Sequence, residues 1–239
     1  MDIFKRCDNK KDCDDGSDEE DCKRLQVPAT YDKSLPPTLE DEEAKPNDIL
    51  TQVRVVNIDF INTVDMVVGL TVELAMKWKD YMINYVNVKD SKEDRVAYKI
   101  IPNDEKDQVW IPLSELVHDN AIIGQTKTLN FYELGVEVTG DAEPMDPGNA
   151  REELIYSGKD NNLLVKQGMK LEFRCEFFLL YFPFDETTCD FLHSIRTIGN
   201  QSIMMRSENN SVIYEGPSIL NEFQIIKFWS KTSHQTLCT

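Results

Sequence analysis

From Met66 to Trp78 every even position is apolar: Met66, Val68, Leu70, Val72, Leu74, Met76 and Trp78, with Thr71, Glu73 and Lys77 among the odd positions. A period of two belongs to a strand with one face in a core and the other mostly wet, and not to a helix. Short segments of similar texture recur from Ile49 onward. Between them stand turn signals: Pro102-Asn103-Asp104, Pro147-Gly148-Asn149, Ser157-Gly158-Lys159-Asp160, Gly199-Asn200 and Gly216-Pro217. Many short strands with few helical patterns predict a mainly β chain folded as an immunoglobulin-like β-sandwich of roughly 190 residues. Its expected extent is 49–239, and no internal repeat is visible.

The chain upstream has a different texture. Residues 1–22 hold nine acidic and four basic residues and three cysteines, with almost nothing apolar. Residues 23–48 are rich in proline and acid and read as a linker with a short helical turn. The whole chain has 26 Lys+Arg against 43 Asp+Glu, a formal charge of −17. Such a surface repels phosphate backbones, and no basic cluster offsets it, which argues against nucleic acid as a partner. The longest apolar run, Phe177 to Phe184 (FFLLYFPF), is about half of the roughly 20 residues a membrane-crossing helix needs. The start, MDIFKRCDNK, lacks the apolar stretch of a signal peptide.

Six cysteines stand at 7, 13, 22, 175, 189 and 238, without a CxxC pair, and His118, His193 and His234 are scattered, so zinc is not expected. Two N-x-S sequons, at Asn200 and Asn209, lie in a polar stretch. Together with the cysteines they favour an oxidising, secretory setting with glycosylation. No HExxH, GxSxG or phosphate-loop motif appears, and an enzyme finds no support.

The opening CDNKKDCDDGSDEEDC resembles the second half of a low-density-lipoprotein-receptor class A module. So small a unit cannot fold by hydrophobic burial alone and relies on disulfides and a metal. The resemblance implies calcium held by side-chain oxygens of Asp8, Asp12, Asp18 and Glu19 and by the carbonyls of Lys5 and Lys10. Calcium suits such a set because it takes six to eight oxygens. The resemblance also pairs Cys7 with Cys22 and Cys13 with an upstream cysteine that this sequence lacks. A weak calcium site, and a chain that begins inside a domain, are the expectations.

The segment CEFFLLYFPFDETTC, from Cys175 to Cys189, carries Phe182-Pro183-Phe184-Asp185 just past its centre. It resembles the signature loop of the Cys-loop, or pentameric ligand-gated, receptor family in its extracellular ligand-binding domain. Further segments agree: Tyr31-Asp32-Lys33-Ser34-Leu35-Pro36, Trp78-Lys79-Asp80-Tyr81, Val109-Trp110-Ile111-Pro112 with Asp119-Asn120-Ala121 beyond it, and Asn221-Glu222-Phe223. Leu113 departs from the family's usual Asp. The resemblance covers about 28–239 and implies a Cys175–Cys189 disulfide. Closing about 15 residues, that bond is worth roughly 3 kcal/mol. It also implies that Phe182, Pro183, Phe184 and Asp185 touch a membrane domain and pass on the binding signal. A purely structural disulfide would explain the cysteines but not an apolar loop tip.

In the family, ligand binds between neighbouring subunits of a pentamer in a box of aromatics, which suits an amine through cation–π attraction. Carried onto this chain, the box is poor. Glu73 stands where an aromatic is common, Val117 or His118 takes the first-loop position, and Arg196 replaces the usual Trp, Tyr or Phe. Leu163 and Val165 would add apolar contacts, and only Phe228 and Trp229 offer rings. Two readings lead, with an amine site not recognised in these residues as a third. Arg196 clamps a ligand carboxylate under Phe228 and Trp229, or Arg196 pairs with Glu73 across the subunit boundary and the pocket has lost its ligand.

The resemblance thus implies the extracellular part of a ligand-gated channel subunit at the cell surface, cut before its last strand and before a transmembrane domain absent from this chain. Its partners would be a small molecule of unknown identity and homologous subunits. The alternative is a secreted binder like acetylcholine-binding protein. The apolar Phe182-Pro183-Phe184 favours the channel, because soluble relatives have nothing apolar beneath that loop.

Overall fold

The computed structural model describes residues 11–17, 23–37, 47–88, 98–129, 132–144, 154–196, 203–220 and 222–231. In chain order the strands are β1 (Leu25–Gln26), β2 (Asn47–Asn62), β3 (Val67–Lys79), β4 (Asn84–Val86), β5 (Lys99–Ile100), β6 (Leu116–His118), β7 (Lys127–Thr128) and β8 (Glu133–Glu137). They continue as β9 (Glu143–Pro144), β10 (Leu154–Ser157), β11 (Asn162–Arg174), β12 (His193–Ile195), β13 (Ile203–Tyr214), β14 (Ile219–Leu220) and β15 (Phe223–Gln224). A single short helix, α1 (Asn103–Lys106), and a 3-10 turn at Pro112–Glu115 are the helical segments among the described residues. Pro102-Asn103-Asp104, a turn signal in the sequence, therefore opens a turn of helix instead, with Pro102 at its N-cap.

The larger sheet runs β13-β2-β3-β11-β8-β5, with β7 added to β11. Its pairs are antiparallel except β13 with β2, which is parallel. A second sheet runs β1-β4-β10-β9, and β12-β6 and β14-β15 form two-stranded ladders. One buried cluster joins both sheets, with Met76, Trp78, Val136 and Val165 from the larger and Leu25, Tyr85 and Tyr156 from the smaller. The mainly β sandwich expected from the alternation is the fold.

The even face of β3 enters that core as its period dictates. Val68 through Trp78 are each under a tenth exposed at even positions. Met66 departs: it lies in the turn joining β2 to β3 at φ +58°, outside the strand. The turn is pinned by Asn62, whose Oδ1 accepts the N–H groups of Val64 (3.0 Å) and Asp65 (2.9 Å). Strand β2 shows how a core can be re-phased. Its odd positions face inward from Asn47 to Val55, then a bulge between Val55 and Asn57 moves the inward face to Ile58. One inserted residue reverses which parity is buried.

The stretch read as a linker contributes structure. Leu25 and Gln26 pair with Tyr85 and Asn84 of β4, and Glu105 on α1 accepts the Arg24 and Leu25 N–H groups at 2.8–3.1 Å. Residues 23–37 hold turns and no helix, and 38–46 lie outside the described residues. The sandwich thus reaches upstream of position 49.

Candidate functional site: a disulfide-closed loop and a facing-strand ladder

The loop from Cys175 to Cys189 leaves the end of β11 beside the β2–β3 turn. Cys175 N–H donates to the Met66 carbonyl at 2.9 Å, and Phe177 N–H to the Met66 sulfur at 3.2 Å. Cys175 and Cys189 are disulfide-bonded, their Cα atoms 5.2 Å apart, inside the ordinary range. The tip is a tight turn: Phe184 N–H donates to the Tyr181 carbonyl, and Asp185 Oδ1 accepts the Tyr181 N–H, both at 2.8 Å. Asp185 therefore shapes the tip. The Phe182–Pro183 peptide is cis. Phe177 turns inward against Phe223, ring centroids 6.4 Å apart. The remaining apolar residues face out: Leu180 is 82% exposed and Phe184 86%, with Phe178, Tyr181 and Phe182 also exposed. Exposed apolar groups of that density on one end of a domain mark an interface.

Arg196 follows β12, which pairs with β6 in the register His193 to His118, Ser194 to Val117 and Ile195 to Leu116. Backbone bonds from Asp119 N–H to Leu192 (2.9 Å) and from Arg196 N–H to Glu115 (3.0 Å) frame the ladder. They make His118 and His193 a non-hydrogen-bonded pair, the closer of the two antiparallel pair types. Asn120 clamps the adjoining strand: its amide donates to the Asp190 carbonyl (2.5 Å) and its Oδ1 accepts the Leu192 N–H (2.9 Å). Phe191 packs against both imidazoles, at 5.4 Å from His118 and 5.5 Å from His193, and against Phe173 at 5.8 Å. Burial holds the His193 imidazole neutral, its pKa pushed down to about 4, with His118 adding to the effect and Asp119 opposing it. His118 is lowered as well, by burial against the pull of Asp119.

The Arg196 guanidinium is mostly exposed and lies 3.5 Å from Asp119 Oδ1. The sequence places Asp119 in a resembling segment but gives no sign that it is the partner of Arg196. Glu73 is held by Arg54 at 3.6 Å, and Arg54 also reaches Glu215 at 3.5 Å. Among the described residues Glu73 pairs with Arg54 and Arg196 with Asp119, and no ion pair joins Glu73 to Arg196. Val117 and His118 are half-buried. Phe228 stacks on Tyr214 with centroids 4.5 Å apart, and Trp229 beside it is largely exposed. Ser230 donates to Ser207 Oγ at 3.0 Å, which lays this segment along the irregular middle of β13.

Leu163 and Val165 are corrected by the structure. Both are fully buried, on the same inward face of β11 as Met169, Leu171 and Phe173, so neither offers surface to a ligand between subunits. The segment ending in Glu222-Phe223 does not simply continue β14 either: Glu222 is a turn residue, and Phe223 of β15 pairs back with Leu220 of β14.

Other expected residues fall elsewhere. Cys7, Asp8, Asp18, Glu19, Cys22, Asn200 and Cys238 lie outside the described residues, and Asn209 is described in its backbone only. Asp12 alone of the calcium set is described, and among the described residues no three acidic, His or Cys side chains gather as metal ligands.

The family model of the neurotransmitter-gated ion-channel ligand binding domain matches residues 22–238. No curated protein matches the chain.

Proposed function

The chain belongs to the neurotransmitter-gated ion-channel ligand-binding domain family, and on that premise we propose that it is the extracellular region of a channel subunit that takes a small ligand between neighbouring copies. It is a binding domain and not an enzyme. Among the described residues no helix is long and apolar enough to cross a membrane, and in this reading the pore belongs to a separate transmembrane domain. Five homologous subunits at the cell surface would form the receptor, with Asn200 and Asn209 as glycosylation sites and calcium on the N-terminal acidic segment.

The observation that carries the proposal is the loop closed by Cys175 and Cys189, with Phe182 and Phe184 at an exposed tip. A secreted binder gains nothing from holding those rings in water, whereas a membrane domain beneath them would bury them. For the ligand, Arg196 is the favoured anchor. Its pair with Asp119 is exposed and costs little to exchange, and guanidinium geometry matches a carboxylate bidentately. Glu73, already engaged by Arg54, is the weaker candidate for its partner.

Current recordings from cells expressing the full-length subunit test this. Glycine, γ-aminobutyrate and glutamate serve as carboxylate probes, and acetylcholine and serotonin as amines without one. A carboxylate should open the channel, and Arg196→Ala should raise its half-activating concentration by at least about tenfold, a loss of about 1.4 kcal/mol. Gating by an amine, unchanged in Arg196→Ala, would reject the carboxylate site.

A further inference from the structure

A cleft of about 560 Å³ opens between the end of β2 and the β14–β15 hairpin, within the size range of small-ligand pockets. We propose that it is a second binding site, separate from the Arg196 region, and that it takes a small organic ammonium ion with an apolar body.

The cleft is built by sequence irregularities of β2. Two register shifts within six residues, at Val55/Asn57 and Ile58/Phe60, interrupt its pairing with β3. The second leaves Asp59 unpaired between Ile58 and Phe60, and such bulges re-aim side chains. Phe60 is then fixed as a platform. It lies opposite Gly69, where an added Cβ would come within 2.4 Å of the ring. Only glycine lets the ring settle on the backbone there. Phe60 is 41% exposed. Phe223 and Leu220 line the other side, and Phe223 is itself braced by Phe177.

The charge of the lining is one-sided. Asp59 and Glu222 contribute carboxylates, and among the described residues no Lys or Arg lines the cleft. Thr71 Oγ1 donates to both Asp59 oxygens, at 3.0 and 2.8 Å, and orients the group. Lys170 Nζ sits 3.9 Å from Asp59 Oδ2 and is half-exposed, an ion pair too weak to neutralise the site. An aromatic face beside carboxylates attracts an ammonium by cation–π and charge together. Within a mainly polar lining, Phe60, Ile61, Leu220 and Phe223 give a hydrocarbon body something to pack on that a bare metal ion would not use, and the two carboxylates disfavour anions.

The test is a titration of the purified chain with phenethylammonium, followed by amide NMR, with phenylacetate and calcium chloride as comparison arms. Phenethylammonium should bind saturably, with shifts centred on residues 57–63 and 220–223. Glu222→Gln and Phe60→Leu should each weaken it at least fivefold, Arg196→Ala should leave it unchanged, and calcium should not displace it. Glu222 is exposed, so that variant carries the test if Phe60→Leu does not fold. Equal binding of phenylacetate, displacement by calcium, or no saturation by about 10 mM, weaker than the millimolar affinity of about −4 kcal/mol, would overturn the proposal. Because Arg196 is not in the cleft, failure here leaves the boundary-site reading standing, and the reverse.

Discussion

Glu105 is buried, and its two oxygens accept three bonds from the N–H groups of Arg24 and Leu25. Bonds from backbone donors to a carboxylate are stronger than neutral ones. Glu105→Gln keeps the shape but loses the charge and one acceptor, leaving a buried N–H unsatisfied. Urea unfolding should show a loss of about 1–3 kcal/mol; an unchanged midpoint would contradict the role. The His118–Phe191–His193 cluster makes a pH prediction. Both imidazoles have pKa values lowered by burial, His193 to about 4. Above about pH 6.5 both are neutral folded or unfolded, and there they oppose nothing. As pH falls from there toward 4 the unfolded chain takes up protons that the folded chain refuses, so stability falls. The charges facing the pair, Asp119 and Arg196, neutralise each other in part. His193→Phe should flatten the fall in thermal midpoint between pH 6.5 and 4, and an unaltered slope would show that His193 is not its source.

Among the elements, the Cys175–Cys189 loop carries the most direct energetic prediction. Converting both cysteines to serine should destabilise the domain by about 3 kcal/mol, read as an earlier urea midpoint. No change would mean that the loop is held by its packing, with Phe177 against Phe223, and not by the bond. How far each element could be read from the sequence follows where its cause lies. Strand β3 is legible because its cause is its own alternation, from Val68 to Trp78. The loop is legible because cysteine spacing and Phe182-Pro183-Phe184 are local. Strand β1 is not, because two residues carry no period and its anchor is Glu105, about 80 residues away. Leu163 and Val165 misled because an apolar residue on a long strand reads the same whether it lines a core or a pocket. The parity of β11, set by pairing with β3 along its whole length, decides for the core. Asp119 went unread as the partner of Arg196 because only the β6–β12 register brings them together.

Across the whole molecule, the candidate ligand anchor and the exposed tip share one continuous segment. From Arg196 the chain leads back through β12 to Phe191, which packs on Phe173 of β11, and on to Cys189, which is bonded to Cys175 at the other end of the loop. On the proposed reading, a ligand that binds one arrangement of this segment better than another would shift its population, and the loop would carry the difference outward. The central claim is that Phe182 and Phe184 are exposed here because another part of the receptor covers them. Thiol labelling of a Phe184→Cys variant measures this directly, in the isolated domain and in the full-length subunit on cells. The expected result is rapid reaction in the isolated domain and reaction at least about tenfold slower, a difference of about 1.4 kcal/mol, in the full-length receptor. Equal rates in the two would contradict a loop that docks on a membrane domain.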